Sequence, residues 1–330
     1  MDIEKWSLRV GLTALACAVL FRLGADGVFQ TAAQSLANPN TMAVMMFLES
    51  GRVVRPAPAK EPQPSAPQET PVLSQQDEPA QAVFAAADAQ LVEIRNSCGY
   101  DADVPAMIQK PLSWDLQQEA PTVLIVHSHG TESYKNTEGY TETSQYRTLD
   151  TDYNMISIGA EVKRILEEGG VKVLHDTTAH DHPSYSASYS QSRKSVKEYL
   201  KEYPSISLVL DLHRDALEDK KGNQTAVTAT YDGTTAAQLM LVVGTDVRLS
   251  HPQWPENMSL AVKLHALLER NFPGICRPIS FRSQRFNQDL STGALLVEVG
   301  AAGNTHAQAL EAARVLGKTL LALSKGSTSQ

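Results

Sequence analysis

Beyond residue 83 the chain alternates short apolar runs with longer stretches in which apolar residues recur every three or four positions. The runs at 122–127, 171–175, 206–212, 238–243 and 294–299 have the length and the Val, Leu and Ile content of buried strands, and a further strand is expected around 225–231. Residues 152–168 have helical spacing, with Ile156, Ala160, Ile165 and Leu166 on one face and Glu161, Lys163, Arg164 and Glu167 facing out. Gly169 and Gly170 end that helix. In 256–271 the apolar stripe is Leu260, Leu264, Leu267 and Leu268. Residues 188–203 and 306–323 predict two more helices, the last capped by Asn304 or Thr305. Strands alternating with helices in this way predict an α/β domain on a mostly parallel sheet.

The first 82 residues follow other rules. Residues 7–21 are almost wholly apolar but fall short of the roughly 20 that span a bilayer. Extending the segment from Trp6 to Leu23 gives a workable length, with Arg9 and Arg22 near enough to the ends to reach headgroups. An uncleaved anchor is favoured over a cleaved signal, because the small residues Ala33 and Ala37 lie far downstream of the apolar core. Pro56, Pro58, Pro62, Pro64, Pro67, Pro71 and Pro79 then stand among Gln, Glu, Ser and Ala, which makes an extended spacer. The expected organisation is an N-terminal membrane anchor or signal segment at 1–25, a Pro-rich extracytoplasmic linker at 26–82 and a globular domain at 83–330.

Charge narrows the classes. With 29 Lys and Arg against 37 Asp and Glu, the formal net charge of −8 argues against nucleic acid as a partner. Of the three cysteines, Cys17 lies in the apolar segment, which leaves Cys98 and Cys276 as the pair available for a disulfide; the sequence does not decide whether one forms.

Candidate chemistry collects where apolar runs stop. The first run ends in His127, Ser128, His129, Gly130, Thr131 and Glu132. An imidazole at 129 and a carboxylate at 132 leave one tight turn and converge, a geometry that suits zinc. His127 competes with His129 for the same position, and the turn residues around Gly130 favour His129, leaving His127 as a supporting or alternative ligand. Glu138 and Glu142, in the polar loop 130–150, are the replacements for Glu132. A second run ends in Asp211, Leu212, His213, Arg214 and Asp215. His213 is the third ligand candidate, Asp215 a candidate to hold its second nitrogen, and Arg214 a candidate to bind a substrate carboxylate or developing negative charge.

Glu298 interrupts the apolar run 294–299. An apolar setting raises a carboxyl pKa and suits a general base; the competing reading is a structural acid paired with Arg282 or Arg285. His175, His180, His182, His251, His265 and His306 read as packed or exposed residues, with a rim position open to His182. There is no Gly-x-Ser-x-Gly elbow, and Ser128 between two histidines fits a metal loop better than a nucleophile. Histidine and carboxylate ligands accept several ions, so spacing alone does not fix the metal.

The segments Val126-His-Ser-His-Gly-Thr-Glu-Ser-Tyr134, Asp211-Leu-His-Arg-Asp-Ala216 and Val297-Glu-Val-Gly-Ala-Ala-Gly-Asn-Thr305 resemble those of the stage II sporulation protein P family. The resemblance runs from about Leu91 to the C-terminus and takes in the layout of anchor, linker and catalytic domain. It implies a zinc-dependent peptidoglycan hydrolase with N-acetylmuramoyl-L-alanine amidase activity and, in some members, endopeptidase activity on stem-peptide cross-links. The implied fold is that of the zinc amidases, a phosphorylase/hydrolase-like three-layer α/β domain.

By that resemblance His129, Glu132 and His213 hold the zinc and Glu298 is the catalytic acid. Glu298 would take a proton from the attacking water and return it to the leaving amine, with Arg214 beside the developing negative charge. The family works beside stage II sporulation proteins D and M during engulfment, which implies a single-pass membrane protein whose catalytic domain lies outside the cytoplasm. Two other classes fit the same ligand pattern: a zinc carboxypeptidase, which cuts terminal residues only, and an inactive peptidoglycan-binding protein, whose wall binding ignores chelation.

Overall fold

A computed structural model describes residues 82–112, 116–135, 139–141, 143 and 145–324. The anchor and linker expected before residue 82, and the replacement ligands Glu138 and Glu142, lie outside the described residues. In chain order the elements are β1 (Ile94–Asn96), α1 (Val104–Gln109), β2 (Val123–Val126), α2 (Met155–Glu168), β3 (Val173–His175), α3 (Ser188–Glu202) and β4 (Leu208–Asp215). They continue with β5 (Thr228–Tyr231), β6 (Thr234–Ala237), β7 (Leu239–Val243), α4 (Trp254–Asn271), β8 (Ile279–Phe281), β9 (Ala294–Ala301) and α5 (His306–Ser324).

Seven strands form one sheet in the order β1-β8-β7-β9-β4-β2-β3, while β5 and β6 make a separate antiparallel hairpin. Every neighbouring pair in the sheet is parallel except β7 with β9. The exception follows from connectivity. Parallel neighbours need a crossover, usually a helix, but the chain enters β7 straight from the hairpin. The central strands are buried on both faces, which is why they read as unbroken apolar runs.

Residues of alternate parity face two different cores. Ile125, Leu210, Leu212 and Val297 belong to the large core that also takes in residues of α2, α4 and α5. Leu124, Val126, Val209 and Ala294 point the other way, into a smaller core closed by Val196, Tyr199 and Leu200 of α3. Helices therefore cover both faces of the sheet, giving three layers.

The expected helices and long strands are present within a few residues of the predicted bounds. Two faces differ in detail. In α2, Ile156, Ile165 and Leu166 are buried as expected, but Ala160 is exposed and Met155, Ile158 and Val162 complete the buried face, because Gly159 is the residue that approaches the sheet. In α4 the leucine stripe is buried as expected, yet burial is continuous from Asn257 to Leu268. The 3-10 turn Ala86–Leu91 and α1 cover its outer side and enclose Lys263 and His265.

Thr305 caps α5: its hydroxyl accepts from Gln308 N at 3.2 Å, and the Gln308 side chain accepts from Thr305 N at 3.1 Å. Cys98 and Cys276 are free thiols. No helix among the described residues is long and apolar enough to cross a membrane.

Candidate active site

The sheet register decides which groups meet. Strands β4 and β9 are in register with His213 opposite Glu298, and β2 is in register with β4 through Val126 opposite Asp211. Alternation along each strand then puts Asp211, His213 and Glu298 on the face where α3 lies. After β2 the chain turns tightly, with Glu132 N donating to the His129 carbonyl at 3.1 Å, and this turn brings both side chains over the end of β4.

His129 and His213 meet edge to face with ring centroids 5.2 Å apart, and His213 Nδ1 stands 3.6 Å from Glu132 Oε2. His213 Nε2 lies 2.9 Å from Asp211 Oδ1, as an ion-pair contact without hydrogen-bond alignment. His129, Glu132 and His213 are thus brought together as expected, with Glu298 beside them.

Asp215 is not at the ring. It is held by Arg277 at 2.7 Å, and Asp211 stands where Asp215 was expected. A register shift between His213 and Asp215 interrupts the alternation at that point. Asp211 is itself fixed by Ser128, whose backbone N–H and hydroxyl donate to its two oxygens at 2.8 and 2.6 Å.

His127 faces the opposite side of the sheet. One ring nitrogen lies 3.1 Å from the Leu212 carbonyl and the other 2.8 Å from His175 Nε2, so both are used and neither reaches the cluster. Arg214 also has another task. Its Nε donates to the Ser133 carbonyl at 3.1 Å and an Nη2 to that of Tyr146 at 3.0 Å, while Glu132 Oε1 lies 3.6 Å from Nη1. Buried in those contacts, it fixes the loop after β2 and positions Glu132.

Sequence reasoning missed the aromatic walls. Tyr185 stacks on His129 at 4.4 Å, and Arg147 lies over the outer face of Tyr185 at 4.1 Å. Tyr189, in the first turn of α3, meets His129 edge-on at 5.5 Å. Asp181 anchors this side by pairing with Arg147 at 3.1 Å and accepting from the Thr131 hydroxyl at 2.6 Å. A cavity of about 680 Å³ opens here, lined by Arg147, Thr148 and Leu149 of the polar loop together with His182.

The environment separates the acids. Burial works against ionisation of Glu132, but Arg214 and His213 outweigh it and hold the carboxyl down at about 2. Glu298 is pushed up to about 8, chiefly by burial, with Glu132 adding to the rise. Its Oε2 is shielded and has no hydrogen-bond partner, and neither Arg282 nor Arg285 pairs with it. Burial opposes charge on His213, yet Asp211 and Glu132 prevail and hold its pKa well above the usual value. His129 is lowered, chiefly by burial, and its buried Nδ1 lacks a partner.

Among the described residues no group of three or more His, Cys, Asp and Glu side chains is gathered as a ready metal site. The donor chemistry nevertheless fits zinc: two imidazoles and an ionised carboxylate are adjacent, and the buried His129 Nδ1 is uncommitted.

The family model for stage II sporulation protein P matches residues 43–321. The chain belongs to that family. Stage II sporulation protein P of Bacillus subtilis (strain 168) is 29% identical over 194 residues, 55% of this chain and 46% of the relative. The chain thus spans about half the length of that relative. Among solved structures, the N-acetylmuramoyl-L-alanine amidase from Clostridium difficile 630 is similar at 14% identity and a TM-score of 0.36, covering 62% of this chain and 94% of that one. The apo form of an N-acetylmuramyl-L-alanine amidase from Mycobacterium abscessus gives 13% identity and a TM-score of 0.35, covering 62% and 96%.

Proposed function

We propose that this member of the stage II sporulation protein P family is a zinc-dependent peptidoglycan hydrolase that cleaves the amide between the muramoyl lactyl group and L-alanine. The observation that carries the reading is the half-buried Glu298, with a shielded and unpaired Oε2, in register with His213 and beside His129 and Glu132.

A zinc ion held by His129, Glu132 and His213 would supply a Lewis acid for the scissile carbonyl. The rest is work for the chain. Glu298 in its ionised form accepts a proton from the attacking water and, protonated, delivers it to the leaving amine. A value of about 8 leaves the ionised form a minority near neutrality, and positive charge beside the carboxyl enlarges it. Asp211 orients His213, while Arg214 keeps Glu132 in place. Tyr185 and the loop after β2 form one wall of a groove for a glycan strand.

Peptidoglycan is the substrate on this reading, and residues 1–25 hold the domain at the outer face of the cell membrane. Stage II sporulation proteins D and M are the partners during engulfment. Cleavage of stem-peptide cross-links by the same groups would add endopeptidase activity.

The test is incubation of the protein with purified peptidoglycan, with chelator, with zinc restored and as Glu298→Gln, followed by mass analysis of the products. Metal-dependent release of glycan strands free of stem peptides, lost in the variant, supports the amidase. Wall binding without release refutes it.

A further inference from the structure

On the face where α3 lies, helical cover ends near β9. A cavity of about 340 Å³ opens there beside Glu298, over the flank formed by β7, β8 and β1, and of its lining residues only Tyr189 belongs to a helix. Its floor is apolar, with Met240 and Val242 of β7 and Leu296 of β9, but its walls carry three guanidinium groups, Arg95, Arg277 and Arg282. Asp215 neutralises Arg277. Among the described residues the side chains of Arg95 and Arg282 make no hydrogen bond or ion pair, and both residues are exposed.

Two uncompensated cations converging on one cavity run against the chain's net charge of −8. Protection of the sheet edge against strand addition accounts for a charge on β1, where Arg95 lies. It does not account for Arg282, which follows the inner strand β8, or for an arginine held in the same cavity by its own carboxylate. Guanidinium groups over an apolar floor are what a planar carboxylate on a small peptide requires.

We propose that this cavity is the peptide side of the substrate site, and that Arg95 and Arg282 bind a free carboxylate of the stem peptide. The proposal rests on the hydrolase reading above and fixes the polarity of the substrate across Glu298. The uncharged sugars lie toward Tyr185 and Arg147, and the acidic peptide lies over β7 and β8. In N-acetylmuramoyl-L-alanyl-D-glutamate the glutamate α-carboxylate is the first such group beyond the scissile amide. The corresponding isoglutamine compound replaces that carboxylate with a carboxamide and changes nothing else.

The test is equilibrium binding of these two compounds to the full chain by titration calorimetry, in chelator so that no turnover occurs. Wild-type protein is expected to bind the acid about tenfold more tightly than the amide, the scale of one charge-assisted contact. In Arg95→Gln combined with Arg282→Gln that ratio falls to about twofold or less, while affinity for the amide and the melting temperature stay the same. Equal affinity of wild type for the two compounds, retention of the full ratio in the variant, or no binding of either overturns the subsite.

Peptidoglycan cleavage is read separately. Cleavage without discrimination removes only the subsite. Discrimination without cleavage removes the hydrolase reading and leaves a peptide-binding cavity.

Discussion

Asp211 and His213 stand two residues apart on β4, and Asp211 Oδ1 lies 2.9 Å from His213 Nε2. With Glu132 on the ring's other side, the pair keeps His213 protonated in the metal-free protein at pH values where a histidine is ordinarily neutral. A ligand must be deprotonated to bind. Zinc uptake near pH 7 is therefore expected to release a proton, so titration in two buffers of different ionisation enthalpy gives different heats. Asp211→Asn lowers the His213 pKa and reduces the release; heats independent of buffer in the wild type refute the arrangement.

Replacing Glu298 by Gln preserves shape and removes the base. Hydrolysis is expected to fall by about 100-fold or more, the scale of general-base catalysis, with wall binding retained. The same carboxyl gives a stability signature without metal. Its folded pKa of about 8 exceeds the ordinary glutamate value of 4.5, so the native state holds the extra proton between those limits. Stability should decline as pH rises from 4.5 to 8, by at most about 1.4 kcal/mol per pH unit from this group. Denaturant titrations of Glu298→Gln should lack that component; a slope identical to wild type counts against it.

Arg214 links Glu132 to two loop carbonyls, so its loss should loosen a segment rather than remove one chemical step. Arg214→Ala is expected to cost about 3 kcal/mol, because it takes a buried guanidinium away from the Glu132 carboxylate and removes the side-chain donors to the Ser133 and Tyr146 carbonyls. It should also open the backbone around Ser133 and Tyr146 to limited proteolysis. Lysine lacks the planar fork and should not restore protection. An unchanged proteolysis pattern with reduced kcat would instead place Arg214 at the reacting atoms.

An alanine usually stabilises a helix relative to glycine. Gly159 should do the reverse, because a Cβ there would come within 2.6 Å of both His127 Nε2 and His175 Nε2. Gly159→Ala is expected to lose about 1–3 kcal/mol, as overpacked cores do. Thermal melting checks this, and a raised melting temperature contradicts the packing described.

Lys263 is buried in α4, where its ammonium donates to the Ile108 carbonyl and burial lowers its pKa to about 8 from the ordinary lysine value of 10.5. Between these values the unfolded chain binds more protons than the native state, so stability should rise as pH climbs from 8 to 10.5. Lys263→Met removes that contribution. The difference between the two proteins should be greatest below pH 8 and shrink above it; a constant difference sinks the account.

Groups that interrupt buried strands were legible in the sequence. His213 and Glu298 stand out because a titratable residue in an apolar run demands a reason. Asp211 sits in the same run, and the strand period of two already placed it on the face of His213, ahead of Asp215. The three-residue strands β1 and β8 are too short for any period to show. Tyr185 and Tyr189 reach His129 only through the packing of α3, which no local pattern encodes. The contacts of Arg214 were illegible for a related reason: beside a histidine it looks like an instrument of chemistry, and only the fold of the following loop shows what its donors hold.

The crossover helix α4, which joins the parallel strands β7 and β8, packs on the face opposite Glu298, so on the face of α3 the sheet presents a flank without helical cover. Side chains there hang from a rigid framework but take little part in packing it. Positions 95 and 282 can therefore vary between relatives without recutting the core, and a wall chemistry with amidated in place of free carboxylates can be met by exchanging those two residues alone.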